Sequence, residues 1–501
     1  MTLTSEPAAT TSSAATSRRT RRWIDDWRPE ETAFWEATGH RVARRNLGWS
    51  IFAEHLGFSV WLIWSVSSAF LVAQGFAFSP QQLFLLVALP NLVGSLLRLP
   101  YTFAVPRFGG RNWTMVSAAL LLVPTLLFAW AVQQPGTPYW VFCAIAATAG
   151  LGGGNFASSM ANINFFYPAS KKGAALGLNA AGGNLGVSLI QLLLPVIVGG
   201  AGIFGIVEAA DGGIHLERAA YVYAGLAVVA TLAAYLFMDN LSTAASRPRE
   251  QLAVVTQRPT WIMALLYIGT FGSFIGYSAA MPLLIKLNFW VPEPAPLGTG
   301  IYFAYFAFLG AGIGSLTRPL GGWLADRYGG ARVTLGAFTA MIVFTLGVLW
   351  TLTRLTPNPG ADPSVASDNQ AWFPLFLGFF LLVFAATGIG NGSTYKMIPA
   401  IWRTGAERAT AAGTPERAAA LTQATKQASA AIGVIGAVGA LGGFLVPIAF
   451  SSPWVDDPLS ATKGAFLVFT AFYVVCAAVT WAVFVRRPAL ARETSLAGVG
   501  I

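Results

Sequence analysis

Gly94-Ser95-Leu96-Leu97-Arg98 and Gly314-Ser315-Leu316-Thr317-Arg318 are near copies of one another, 220 positions apart, and each closes a long apolar run. A guanidinium at the centre of a spanning helix costs roughly 2.5–3.5 kcal/mol on insertion scales. Two such costs at repeated positions imply that something inside the membrane needs positive charge, and an anion is the plainest candidate. The alternative is a structural ion pair with a buried carboxylate. Acids within the apolar runs are scarce, with Glu54 the clearest, and one acid cannot neutralise two separated arginines well.

Composition supports a membrane reading. Of 501 residues, 55% are hydrophobic and only 10% charged, with a mean hydropathy of +0.59; soluble domains carry about 25% charged residues. The net charge of +10 is spread over alternate loops, with no basic stripe among exposed aromatics, so nucleic acid is not an expected partner. Cys143 and Cys476 each sit in an apolar run, away from any metal-ligand spacing, and neither a metal nor a cofactor is expected. Arg18-Arg19-Thr20-Arg21-Arg22 has the look of a twin-arginine signal, but Asp25, Asp26 and Arg28 follow where an apolar region would be needed.

A window of about 19–20 apolar residues picks out twelve spans, from 49–73 to 464–485. The fold class is therefore an all-α integral membrane protein: twelve transmembrane helices in two six-helix pseudo-symmetric halves. Residues 1–46 form a cytoplasmic extension, partly disordered at its Ser/Thr/Ala-rich start. Residues 47–238 and 260–487 are the halves, 239–259 a cytoplasmic linker and 488–501 a cytoplasmic tail. Basic loops (Arg107 and Arg111; Lys171 and Lys172; Arg247, Arg249 and Arg258; Arg327 and Arg332) alternate with acidic or neutral ones (Glu208 and Asp211; Glu293; Asp362 and Asp368; Asp456 and Asp457). The positive-inside bias then puts both termini in the cytoplasm of a multi-pass cell-membrane protein. Gly57-Phe58-Ser59 echoes Gly276-Tyr277-Ser278 at nearly the offset of the arginines. A parallel repeat with its site between the halves near the midplane is a transporter architecture.

Glycines crowd span 4 (Gly152, Gly153, Gly154), span 5 (Gly177, Gly182, Gly183, Gly186), span 10 (Gly390) and span 11 (Gly436, Gly439). Each costs about 1 kcal/mol against alanine in a helix, which implies close helix contact or bending. Asn155, Asn162, Asn179 and Asn184 lie among them; a buried amide can donate to an anion's oxygen.

Taken together, Gly152-Gly153-Gly154-Asn155-Phe156-Ala157-Ser158-Ser159, its continuation through Gly186, and Gly388-Ile389-Gly390-Asn391-Gly392-Ser393-Thr394 resemble the two signature motifs of the nitrate/nitrite porter family, the NarK-type members of the major facilitator superfamily. The resemblance covers roughly residues 47–485. It implies transport of nitrate and nitrite, with Arg98 and Arg318 as the clamping arginines. It also implies Tyr267, Phe271, Phe156 and Phe58 as pocket aromatics, and Asn184, or else Asn179, as the span 5 contact. Asp326 and Arg327, in Gly322-Trp323-Leu324-Ala325-Asp326-Arg327-Tyr328-Gly329, match the superfamily's loop signature and a role in rocking of the halves. The equivalent Pro106-Arg107-Phe108-Gly109-Gly110-Arg111 has lost the Asp.

Coupling is open at this stage. Proton symport needs a titratable group in the pathway, and the candidates are Glu54, His55 and Lys396, with the last able to snorkel to the surface. An unloaded carrier with two bare arginines should resist reorienting, which favours nitrate/nitrite exchange over nitrate/proton symport. An enzyme is not expected, because the spans lack paired carboxylates, a metal cluster and a nucleophile–base pair. A nitrate sensor would need an output domain, and a porter of another anion a larger, more polar pocket. The expected partners are nitrate, nitrite and the bilayer, with the chain a monomer.

Overall fold

The computed structural model describes residues 22–199, 213–244, 253–291, 299–357, 363–452 and 457–486. The Ser/Thr/Ala-rich start, Glu208, Asp211, Arg247, Arg249, Glu293, Asp362, Asp456 and the tail 488–501 lie outside them, as does the linker between 245 and 252.

Eleven helices are long and apolar enough to cross a membrane: α1 (Thr32–Gln74), α2 (Pro80–Phe108), α3 (Gly110–Val132), α4 (Tyr139–Phe166), α5 (Ser170–Ile197), α6 (Leu216–Phe237), α7 (Arg258–Phe289), α9 (Gly330–Leu352), α10 (Asp368–Ala409), α11 (Pro415–Phe450) and α12 (Pro458–Val485). The twelfth, α8 (Ala307–Tyr328), has 22 residues. It falls below that hydropathy because Arg318 and several glycines occupy it. Two short strand pairs complete the fold: β1 (Trp23–Ile24) beside β2 (Asn240–Leu241), and β3 (Trp290–Val291) beside β4 (Thr299–Gly300).

The helices outrun the apolar windows. Helix α1 begins in the polar lead-in at Thr32, and α10 runs 42 residues to Ala409, because a helix can continue past the bilayer where only its composition changes. The expected span over 299–322 starts late, at Ala307. Helix α2 opens on a capping box, in which Gln82 N–H donates to Ser79 Oγ and Ser79 N–H to the Gln82 side chain. Helices α2 and α8 both end on glycines in the left-handed region, Gly109 (φ 87°) and Gly329 (φ 88°). That is the 220-residue offset of the arginines again, now in backbone form.

Close packing explains much of the glycine content. A Cβ at Gly153 would lie 2.8 Å from the Gly94 Cα, so α2 and α4 touch backbone to backbone. Other glycines of these runs also have close neighbours. Gly152 faces the Gly57 carbonyl, Gly154 Tyr101, Gly182 Ile51, Gly183 Glu54, Gly390 Thr270 and Gly439 Tyr267. Gly436 differs, since a Cβ there would have Arg98 Nη1 as its neighbour, at 3.7 Å.

The halves α1–α6 and α7–α12 meet differently at the two ends. On the face away from the linker they are tied together. Gln191 Nε2 donates to the Ser278 carbonyl at 2.6 Å, Ser65 Oγ to the Ala279 carbonyl at 2.8 Å, Ser188 Oγ to the Phe308 carbonyl at 2.9 Å, and Lys286 to the Ala69 carbonyl. On the linker face the N-terminal segment straps the first half. Besides β1–β2, Trp27 Nε1 donates to the Phe165 carbonyl (3.1 Å), and Arg45 and Asn46 hold Asp239 at 2.6 and 2.9 Å. Arg45 is thus committed to protein rather than to lipid headgroups.

Candidate anion site between the halves

Irregularities in four helices converge at mid-height. Helix α1 breaks at Leu62, α4 at Gly154 and α11 at Leu441, and α7 carries a five-residue π-bulge at Ile268–Gly272. Such bulges re-aim side chains and frequently mark functional sites. Here Tyr267 immediately precedes the bulge and Phe271 lies within it.

Both arginines are brought to this level and buried, at 0% (Arg98) and 4% (Arg318) exposure. Arg98 is anchored. Its Nε donates to the Gly153 carbonyl at 3.2 Å and its Nη1 to the Gly436 carbonyl at 3.0 Å, the second bond crossing between halves. Its Nη2 has no protein partner, and neither Nη1 nor Nη2 of Arg318 has one. Three buried guanidinium nitrogens therefore remain available to an acceptor. The arginines share a ring: Phe156 lies 4.7 Å from the Arg98 guanidinium carbon and 5.5 Å from that of Arg318. Phe271 also faces Arg98 at 4.8 Å. It stacks near-parallel to Phe156 (6.1 Å, 22°) and to Tyr267 (5.3 Å, 13°). Phe58 stands edge-on to Phe156 at 6.0 Å.

Asn184 is buried with neither amide atom partnered. Asn179 is engaged instead, its Nδ2 donating to Glu54 Oε2 (2.7 Å) and Ser159 Oγ (2.6 Å). His55 turns its Nδ1 to the Gly182 carbonyl at 3.1 Å. Lys396 is not brought to the site. It forms an ion pair with Asp326 on the exposed surface, and the pairing ties α10 to the last turn of α8. Arg327 lies over Trp323 and Tyr328 on the same surface.

Sequence reasoning left out several neighbours. Tyr395 lies under Arg318 at 5.4 Å with an unpartnered hydroxyl, and Trp61 under Arg98 at 5.4 Å. Asn155, already singled out as a buried amide, has both amide atoms unpartnered, and Asn391 its Oδ1. Tyr395 follows directly on the second signature, which was the available signal. A cavity of about 50 Å³ runs from Arg98 and Phe156 past Thr102 and Tyr395 to Phe165 and Ser429. One water needs only about 10–15 Å³ by this measure. At its linker-face end two lining residues are joined across the halves, Asn164 Nδ2 donating to Ser429 Oγ at 3.2 Å. Among the described residues no His, Cys, Asp or Glu group is arranged to hold a metal.

The Major Facilitator Superfamily model matches residues 55–414. The chain is 39% identical over 480 residues to the nitrate/nitrite transporter NarU of Escherichia coli K12, covering 94% of this chain and 98% of that one. It is 38% identical over 391 residues to the probable nitrate/nitrite antiporter NarK2 of Thermus thermophilus, covering 76% and 83%. Among solved structures it resembles a D-xylose-proton symporter (TM-score 0.59, 14% identity, 87% of this chain and 96% of that one). It also resembles the xylose transporter XylE from E. coli in a partially occluded inward open conformation (TM-score 0.55, 13% identity, 89% and 97%). Identities this low speak for the fold alone. With the repeat, the paired arginines and these relatives in place, the chain belongs to the nitrate/nitrite porter family of the major facilitator superfamily.

Proposed function

We propose that this chain moves nitrate and nitrite across the cytoplasmic membrane by alternating access, exchanging one for the other, as a monomer with both termini in the cytoplasm. The observation that carries the reading is the pair of buried guanidinium groups on one phenyl ring, with three nitrogens lacking protein partners. The guanidinium fork suits a flat oxyanion. The near-parallel rings of Phe156 and Phe271 suit its faces, and Asn184 supplies a further donor. The names of the relatives in E. coli and T. thermophilus agree with this substrate class. The end of the cavity at Phe165 and Ser429 then lies toward the cytoplasm, and the bonded far face is the closed gate on the opposite side. Arg98, Arg318, Asn184, Tyr267, Phe271, Phe156 and Phe58 bind the anion, and Asp326 with Arg327 acts in rocking of the halves.

Purified protein in liposomes, with pH and voltage clamped, tests this. Nitrate uptake that requires internal nitrite, and is lost in Arg98→Ala and Arg318→Ala, is the expected result. No uptake by folded protein under any loading would overturn it. One observation favours nitrate/proton symport as a second reading: Glu54, a buried acid beside the site. Uptake into empty vesicles driven by a proton gradient alone is its signature.

A further inference from the structure

Glu54 is a carboxylate that an anion site should not tolerate, and its surroundings give it a role. It sits on α1 at 1% exposure. One oxygen accepts from Asn179, and the other has no protein hydrogen-bond partner. The residues from α4 and α5 that face it are Ser159, Asn179 and Gly183, none of which titrates. Asn179 also touches Met160 Sδ (3.5 Å), and Met160 lines the cavity. The charged and titratable groups that face it are those of the anion site: Arg318 on α8 and Arg98 on α2 interact electrostatically with it, as does Tyr395 on α10. Tyr267 on α7 interacts with the same two arginines. On α1 itself, His55 points away to the Gly182 carbonyl, and Tyr223 of α6 faces Ser59, further along α1.

We propose that Glu54 is the resident counter-anion of Arg98 and Arg318, and that an anion entering the site competes with it for the two arginines, so that each anion bound brings one proton onto the Glu54 carboxylate. The charges balance. Two guanidinium groups and one carboxylate leave the empty site at +1. Adding a monoanion and one proton, drawn from solvent through the cavity, leaves it at +1 again, with Glu54 now a neutral acid. Linkage makes the effect reciprocal, so the proton promotes anion binding as much as the anion promotes protonation. In exchange the protons carried in the two directions cancel; in net uptake they travel with the anion.

The inference rests on the proposed nitrate site, and the experiment separates the two. Nitrate is titrated calorimetrically into the full-length protein in detergent, in buffers of different ionisation enthalpy, from about pH 5 to about pH 9, the range over which a buried carboxyl can titrate. The expected result is proton uptake approaching one per nitrate, with Kd weakening tenfold per pH unit wherever Glu54 is ionised before binding. In Glu54→Gln, nitrate still binds, uptake falls to zero and Kd is flat with pH. Wild-type binding without proton uptake at any pH overturns the inference and leaves the nitrate site standing. Full uptake persisting in Glu54→Gln also overturns it. Absence of nitrate binding in both folded proteins removes the site and the inference together.

Discussion

Arg318→Lys keeps the charge and removes the fork, and the structure sets what that should do. Neither terminal nitrogen of Arg318 has a protein partner, so both are available to one flat anion. A lysine ammonium offers a point charge that cannot present two parallel donors. One hydrogen bond to a charged acceptor contributes about 1.5–3 kcal/mol. At 1.4 kcal/mol per factor of ten, nitrate binding should weaken roughly 10- to 150-fold. Arg318→Gln removes the charge as well. A monoanion 4 Å away loses about 4 kcal/mol of attraction at an effective dielectric of 20. The glutamine variant should therefore bind up to about 4 kcal/mol, or nearly a thousandfold, more weakly than the lysine variant. Calorimetric titration of nitrate measures both, with thermal melting as the control for folding. An Arg318→Lys affinity within threefold of wild type, or weaker than that of Arg318→Gln, would refute the fork argument.

Gly153→Ala drives a Cβ to 2.8 Å from the Gly94 Cα, where backbone faces backbone, and should destabilise by about 1–3 kcal/mol. Gly173→Ala, with nothing within 4 Å, should leave the melting temperature in detergent unchanged or raise it. Gln191→Leu removes a bond to Ser278 of the other half and one to Ser65 of its own. At about 1 kcal/mol for the crossing bond it should raise the far-face-open population several-fold, read by spin-label distances between the halves. Trp27→Phe loses the bond to the Phe165 carbonyl and should speed proteolysis of the N-terminal segment while costing about 0.5–1.5 kcal/mol of stability. Glu54→Gln should retain nitrate/nitrite exchange in liposomes with the pH dependence of its apparent affinity flattened; loss of exchange together with a lowered melting temperature would place Glu54 in the fold rather than in coupling.

The arginines were legible because a charge in an apolar run has no cheap explanation, and the repeat because Gly109 and Gly329 keep the offset of Arg98 and Arg318. The signature glycines marked where helices touch. Lys396 was ambiguous, since its partner Asp326 stands 70 positions away and only the meeting of α10 with the last turn of α8 shows the pair. Tyr395 and Trp61 read as ordinary apolar-face aromatics, because a cation–π neighbour leaves no mark in sequence. The π-bulge at Ile268–Gly272 packs against α10 and α11, contacts that a single apolar run does not announce. Asn179 and Asn184 looked equivalent five residues apart; only contacts separate the amide that holds Glu54 from the one that holds nothing.

The repeat explains the arginines and makes Glu54 stand out. At the offset of 219 that relates Gly57 to Gly276, Glu54 corresponds to Ser273, a neutral residue whose Oγ accepts from the Tyr473 hydroxyl at 2.8 Å. The cations are thus duplicated and the anion is not, and the asymmetry sits in the first half alone. That changes the case for exchange. Two bare arginines would leave an empty carrier at +2, and dragging that charge through a low-dielectric passage is what should hold an unloaded carrier still. With Glu54 ionised the empty site carries +1, the same as the site loaded with a monoanion and a proton, so charge no longer separates the loaded return from the empty one. In Glu54→Gln the empty site returns to +2 and the loaded site to +1, and the penalty for an empty return is restored. Whether the chain must exchange is then decided by one carboxyl on α1 rather than by the arginines that bind the anion.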